Sequence, residues 1–418
     1  MKIGFVGMTH LGICHACATV KKGFDIICFD NDSSIISNLK KGIINFYEPN
    51  LNKILYENKK KIVFTNDIKK LNTCDLVFLS EDVQTDNKNK SLYNKINILI
   101  NKIIKNLNKK IIFVILSQVN VGFTEKIKWN KKKLYYQVET LIFGEAVNRA
   151  LYPQQFIIGA AQTKLENKYL QYLKEFKCPV SVMNYQTAEL AKISINLYLI
   201  SSLSFTNSLA ELCEKKEIDW SKIKSILHKD KRIGKFAYLN PGLGVLSGNL
   251  QRDLQSYKKI LSENKCNLKV PISWEQNSDL RKKWVANLLT TKLKSFLKLR
   301  IGLYGLPYKK NITILKNSPT IDLLNTFKKT NFNIYDPKVS VEFKNKKIIT
   351  YKDVKIFFKS TDLLVVLTDW DEIKNYRYSI LNNYKGQFII DPYNTINNIK
   401  FLKNKKIFTL GKKLDAIS

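Results

Sequence analysis

Short apolar runs alternate with polar, lysine-studded stretches from the first residues onward. KIGFV (2–6), FDIICFDND (24–32), CDLVFLS (74–80) and KIIFVILS (110–117) are the first four. Runs this short, bounded by polar segments, read as buried strands, and the segments between them read as helices. Alternation of the two argues for a parallel sheet with crossover helices. The pattern changes near residue 184. Residues 185–219 contain no Gly or Pro, and Leu190, Ile193, Leu197 and Ile200 fall at helical spacing, which predicts one long helix with more helix after it. From about residue 298 the alternation returns in LRIGLYGLP (299–307), FNIYDP (332–337), DLLVVLTDWDE (362–372) and QFIIDPYN (387–394). Three domains are expected: 1–183, a helical 184–295, and 296–418.

Composition adds limits. Hydrophobic residues make up 44% of the 418 and charged residues 25%, as expected for a globular chain with real cores. No apolar run approaches the roughly 18 residues that span a bilayer, and no signal peptide is evident. A cytoplasmic protein without a membrane partner is therefore expected. The net charge of +35 invites a nucleic-acid role. The lysines, however, are spread along the whole chain with many Asn and Ile residues, the mark of an AT-biased genome, and no nucleic-acid-binding motif accompanies them. What the charge does favour is the approach of an anionic small molecule. Seven scattered cysteines fit reduced thiols. Cys14 and Cys17 have redox C-x-x-C spacing, yet read better as small residues packing a first helix. The three histidines form no metal-ligand cluster, so no metal is expected.

Candidate chemistry appears at both ends of the pattern. KIGFV leads into Gly7-x-x-x-x-Gly12 and a helix, and the second strand ends at Asp30. A strand, a glycine turn and a helix whose N-terminus holds a pyrophosphate, with an acid for the ribose hydroxyls, is the dinucleotide pattern. The expected cofactor is NAD. Thr9 stands where the middle glycine belongs, and its side chain narrows the approach to the pyrophosphate. The fold class expected is α/β: two Rossmann-like domains joined by a long central helix and a small helical domain. The second feature is NPGLGVLSGNLQRDL (240–254), which holds three of the chain's 16 glycines and reads as a pocket-lining loop.

Several stretches, in order, resemble the UDP-glucose/GDP-mannose dehydrogenase family over nearly the full length. SQVNVGFTEKI (117–127) looks like its S-T-V-P-x-G-T-T element, and YEPNL (47–51) its E-P-G-L. VETLIFGEAVNRALYPQQFIIGA (138–160) is similar to its N-P-E-F-L-R-E-G block. TAELAKISINLYLISSLSFTNSLAELCEK (187–215) matches its central helix. YKKNITILKNSP (308–319), YDPKV (335–339), LTDWDEI (367–373) and IIDPYN (389–394) come next in the family's order. The resemblance implies an NAD-dependent oxidoreductase acting on a nucleotide-sugar substrate, a homodimer formed through the central helix, and a place in polysaccharide biosynthesis. Family enzymes take the sugar's C6 alcohol to an acid with two NAD and a cysteine that forms a thiohemiacetal.

The family's residues carry over one by one. Lys192 and Asn196, four apart on one helix face, match a lysine and asparagine that stabilise an alkoxide. Glu139 matches the catalytic-region glutamate and Asp253 the aspartate of C-F-P-K-D, with Arg252 in place of the lysine. Gly7, Thr9, Gly12, Asp30 and Ser117 stand at cofactor positions. Tyr238, Gly244 and Lys309 stand at substrate positions. Asn249 occupies the place of the nucleophilic cysteine, and an amide forms no thiohemiacetal. Leu246 and Ser247 replace glycines, Gln118 and Val83 replace threonines, Phe143 a glutamate and Tyr393 an arginine. Cys266 is the nearest thiol in sequence. Two readings result: an oxidoreductase limited to a single hydride transfer, or an inactive relative that binds a nucleotide sugar or a partner.

Overall fold

The computed structural model describes residues 1–86, 89–396, 399 and 404–414. Its contacts divide the chain into two compact units, Met1–Ile195 and Asn196–Ser418, each with its own sheet. In the main sheet of unit 1 the strands are β1 (Lys2–Val6), β2 (Asp25–Phe29), β3 (Ile62–Thr65), β4 (Leu76–Leu79), β5 (Ile112–Ile115), β6 (Leu134–Gln137), β7 (Phe156–Ala160) and β8 (Val180–Met183). They lie in the order β3-β2-β1-β4-β5-β6-β7-β8. The first six give the 3-2-1-4-5-6 order of a doubly wound dinucleotide fold.

One expectation changes here. The sheet is mixed, because β7 pairs antiparallel with β6 and β8 runs with β7. A strand buried on both faces is apolar throughout whichever way it runs, so its direction leaves no mark on the pattern. Alternate residues of the central strands face opposite cores. Ile3, Phe5, Leu76 and Phe78 join one apolar cluster, and Val6, Val77, Leu79 and Phe113 join the other. Each such side chain contributes about 1.5–3 kcal/mol on burial. Helix α1 (His10–Lys21) is buried from Leu11 to Val20 and packs on the helices Leu51–Glu57 and Ala146–Leu151. Cys14 and Cys17 sit in this packing as free, buried thiols, not as a redox pair.

The long helix α2 (Tyr185–Lys215) has 31 residues and spans about 46 Å. Unit 2 continues with α3 (Trp220–Lys229), α4 (Gly248–Glu263), α5 (Lys269–Lys282) and α6 (Trp284–Thr291). Its sheet holds β9 (Arg300–Tyr304), β10 (Asn331–Tyr335), β11 (Ile348–Thr350), β12 (Leu363–Val366), β13 (Phe388–Ile390) and β14 (Lys406–Phe408) in the order β11-β10-β9-β12-β13-β14. All pairs are parallel, again a 3-2-1-4-5-6 arrangement. Helix α7 (Pro319–Thr326) starts where Ser318 caps the Ile321 amide and Pro319 takes the first turn. Buried Glu214 on α2 ties this unit together. It accepts from Arg281 at 2.6 and 3.2 Å, from Trp284 Nε1 at 2.9 Å and from the Gly411 amide at 3.0 Å. Among the described residues no helix is long and apolar enough to cross a membrane.

Candidate functional site

At the carboxyl end of β1, Gly7 turns the chain with φ +95°, and a Cβ there would meet the Glu81 backbone at 2.8 Å. Gly12 lets α1 close onto that turn, since its Cβ would lie 2.0 Å from the Gly7 carbonyl oxygen. Buried Asp30 accepts the Met8 amide at 2.8 Å and the Asp32 amide at 2.9 Å. The turn, the close helix and the acid fit the adenosine side of a dinucleotide. At the first turn of α1 the fit is shared: the Leu11 amide donates to Asp82 Oδ2 at 3.1 Å. Thr9 accepts the Asp82 amide at 2.9 Å, so its side chain fixes the end of β4 over the turn.

Ser117, expected at a cofactor position, stands just past the end of β5. It is fully buried, and its hydroxyl donates to the Glu81 carbonyl at 2.7 Å and the Leu79 carbonyl at 3.3 Å. These two bonds hold the segment that follows β4. Burial pushes the Glu81 carboxyl up to about 7, the Asp30 charge adding to it and Lys95 opposing. Burial likewise raises Asp82, against His10 and the Leu11 amide.

Beside this crevice, Lys192 Nζ lies 3.1 Å from Glu139 Oε1, the side chains 7% and 12% exposed. Burial alone would raise the Glu139 carboxyl. Lys192, the Leu141 amide and His15 outweigh it and hold the group below its usual value. His15 itself is buried and pushed down to about 4 by desolvation. A second knot adjoins. His10 Nε2 meets buried Glu48 at 2.8 Å, and Glu48 accepts the amides of Gly144 and Ala146 at 2.7 and 3.0 Å. The ring of Phe143 stands 4.3 Å from that of His10.

In unit 2, one turn further along α2, Asn196 Nδ2 donates to Asp253 Oδ2 at 2.5 Å. Arg252 Nε donates to the other Asp253 oxygen at 3.3 Å, and all three side chains are buried. The glycine-rich stretch differs from expectation. Only 240–247 is loop; α4 begins at Gly248, so Asn249 lies exposed in a helical first turn and Asp253 one turn on. Gly244, expected to face substrate, has φ +80° and its missing Cβ faces the Ser278 carbonyl at 2.4 Å. It serves packing against α5. The loop is strapped down by Asn207 to the Gly242 amide, Ser278 to the Val245 amide and Asn317 to the Leu246 carbonyl. Cys266 lies beyond the C-terminal end of α4, so about 21 Å of helix, from Asn249 to Glu263, separates the two.

At the switch point of the second sheet, Gly305 turns with φ +101° and the Leu306 amide donates to Asp336 at 2.7 Å. Tyr308 and Lys309 follow it closely in the chain. Burial raises the hydroxyls of Tyr238 and Tyr393, with Asp369 the next cause for both. Tyr308 pairs with Ser247, at the foot of α4. Sequence reasoning missed His10, Glu48, Glu81, Asp82, Tyr308 and Asp369. Glu48, Tyr308 and Asp369 lie inside stretches that carry the family resemblance, whereas Glu81 and Asp82 read in the sequence as solvated acids after a strand. No group of three or more His, Cys, Asp and Glu able to hold a metal ion occurs among the described residues.

Comparison with known proteins gives one answer over most of the chain. Residues 1–177 match the NAD binding domain of the UDP-glucose/GDP-mannose dehydrogenase family, 186–277 its central domain and 302–398 its UDP binding domain. A UDP-glucose 6-dehydrogenase of Rickettsia prowazekii is 27% identical over 95% of this chain and 96% of its own length. One from Bacillus subtilis is 25% identical over 89% and 84%. Among solved structures, a UDP-glucose dehydrogenase from Pyrobaculum islandicum superposes with a TM-score of 0.86 at 18% identity, covering 99% of this chain and 98% of that one. A UDP-D-ManNAc dehydrogenase from Pyrococcus horikoshii does so with 0.84 at 20%, covering 98% and 99%.

Proposed function

We propose, from the premise that the chain belongs to the UDP-glucose/GDP-mannose dehydrogenase family, that this NAD-dependent nucleotide-sugar dehydrogenase performs one hydride transfer and stops at the aldehyde level. NAD, when bound, accepts the hydride. The carrying observation is the pair of buried polar contacts on α2, Lys192 with Glu139 and Asn196 with Asp253. As a hydride leaves an alcohol carbon, negative charge grows on oxygen. Lys192 supplies a positive charge, and the second N–H of Asn196 supplies a donor, to that oxygen. Glu139, held ionised beside Lys192, takes the hydroxyl proton. Asp253, itself held by Arg252, fixes which way the Asn196 amide points. Gly7, Gly12 and Asp30 hold the cofactor, and Tyr238 and Lys309 the nucleotide sugar.

The limit to one oxidation rests on Asn249. A second hydride transfer needs a covalent adduct or an equivalent that again presents a C–H bond on a charged oxygen. Neither remaining thiol of unit 2 serves: Cys213 is buried, and Cys266 is at the wrong end of α4. Purified protein is mixed with NAD and a panel of UDP- and GDP-sugars while NADH absorbance is followed. NADH formation that Lys192→Ala abolishes is expected. No NADH with any sugar, and no NADH loss with aldehydo-sugars, contradicts the proposal and favours a binding protein.

A homodimer through α2 is part of the same proposal. Tyr198, Phe205 and Leu212 recur every seven residues and remain 65%, 53% and 49% exposed. An apolar stripe at that spacing suits a second copy of the same helix. Light scattering should give twice the monomer mass, and Phe205→Glu should shift it to monomer.

A further inference from the structure

Two residues of this chain close the first turn of α1 from within. The Thr9 hydroxyl accepts the Asp82 amide at 2.9 Å and donates to the Ser80 carbonyl at 3.3 Å. That anchors the end of β4, and the Asp82 carboxylate reaches the Leu11 amide at 3.1 Å. Thr9 makes no side-chain cap of its own on α1. In a dinucleotide fold these first-turn amides hold the pyrophosphate. A carboxylate and a pyrophosphate seek them for the same reasons, the orphan N–H groups and the positive end of the helix dipole.

We propose that the Asp82 carboxylate is a built-in occupant of the pyrophosphate position, so that NAD binds this chain only by displacing it. The proposal rests on the cofactor assignment above. The charges around Asp82 set the balance. His10 on α1 favours the carboxylate, and Glu139 beyond β6 opposes it. Asp30 at the end of β2 adds negative charge, Glu81 beside it adds more once the pH passes about 7, and Lys95 offsets part of it. A pyrophosphate entering this ring of acids binds more weakly than the glycine turn alone would allow. The displaced side chain has room: a cavity of about 110 Å³ is lined by Asp82, Gln84, Leu92, Asn94, Lys95 and Ile96. There the Lys95 ammonium receives it.

Calorimetric titration of the full chain with NAD, ADP and adenosine tests this, on wild type, Asp82→Ala and Asp82→Asn. Asp82→Ala should bind NAD and ADP about tenfold more tightly, the affinity equivalent of one charged hydrogen bond. Asp82→Asn should gain less, and adenosine, which lacks phosphate, should be unchanged. The ligand-free melting temperature of Asp82→Ala should fall, because the Leu11 amide loses its acceptor. A folded variant with unchanged or weaker NAD and ADP binding overturns the proposal, and so does an equal gain for adenosine. Should Asp82→Ala not fold, the same outcomes are read on Asp82→Asn. If wild type and variants alike fail to bind NAD and ADP, the cofactor assignment itself falls and the proposal with it. Wild-type binding without any gain in the variants overturns the proposal alone.

Discussion

In both units the first strand ends in a glycine at positive φ, and the acid closing the second strand accepts the amide just beyond it: Asp30 from Met8, Asp336 from Leu306. The glycine amides themselves donate to Phe29 and Tyr335. The difference lies in what else each acid does. Asp336 also takes the amides of Lys338 and Val339 and the Trp370 indole N–H, which uses all its acceptor positions. Among the described residues Asp30 accepts one further amide, from Asp32, which leaves acceptor capacity for ribose hydroxyls. The segments beyond the two glycines differ too. Helix α1 begins at His10, whereas in unit 2 the chain runs from Leu306 to Ser318 before α7. One clasp thus supports a helix-end cradle in one unit and a strap in the other. That strap carries Tyr308 and Asn317 to the loop at 244–247.

The comparison breaks most visibly at the acids. Asp336→Ala should lower stability by about 3 kcal/mol, since several donors lose their acceptor at once, and should leave NAD affinity unchanged. Asp30→Ala should cost less stability, about 1–2 kcal/mol, yet weaken NAD binding about tenfold or more. Urea unfolding and NAD titration of the two variants measure both. Equal loss of NAD binding in the two would erase the distinction.

Glu81 sharpens it further, because unit 2 has Thr368 and Asp369 at the matching strand end. The free Glu81 carboxyl titrates near 4.5 and the folded one near 7. Between those values the folded state holds a proton that the unfolded state has lost, so stability falls as pH rises through that window. Glu81→Gln stays neutral and should flatten that slope, with roughly 2 kcal/mol more stability than wild type at pH 8. Thermal melts from pH 4.5 to 8 decide it; an unchanged slope contradicts the assignment. The smallest effect is expected at Asn249. It is exposed on the first turn of α4 and makes no contact that stability needs, so Asn249→Ala should move the melting midpoint by no more than about 0.5 kcal/mol.

Much of this architecture could be read from the chain because its signals are local. KIGFV and RIGLY are short apolar runs each followed by a glycine, and both fold as the first strand of a sheet. The Gly- and Pro-free stretch after 184 is one helix through Lys215, and Asp219 then caps α3. What depends on long-range contacts was hidden. The reversal of β7 leaves no trace in a strand buried on both sides. Gly248 opens a helix where glycine density suggested a loop, because Ser278 and Asn317 hold the preceding segment. Glu139 and Lys192 are far apart in sequence, and only the family resemblance linked them before the fold brought them within 3.1 Å. Asp82 looked like any solvated acid after a strand; its meaning appears only when the Leu11 amide is seen pointing at it.

The central claim is that one hydride leaves the sugar and no second one does, and product stoichiometry tests it most directly. With excess NAD and a limiting nucleotide sugar, NADH is measured against sugar consumed, and the product is identified by mass. One NADH per sugar with an aldehydo-sugar as the product is the predicted result. Two NADH per sugar with a uronic acid as the product would contradict it, since the chain would then complete the second oxidation with Asn249 in the cysteine's place.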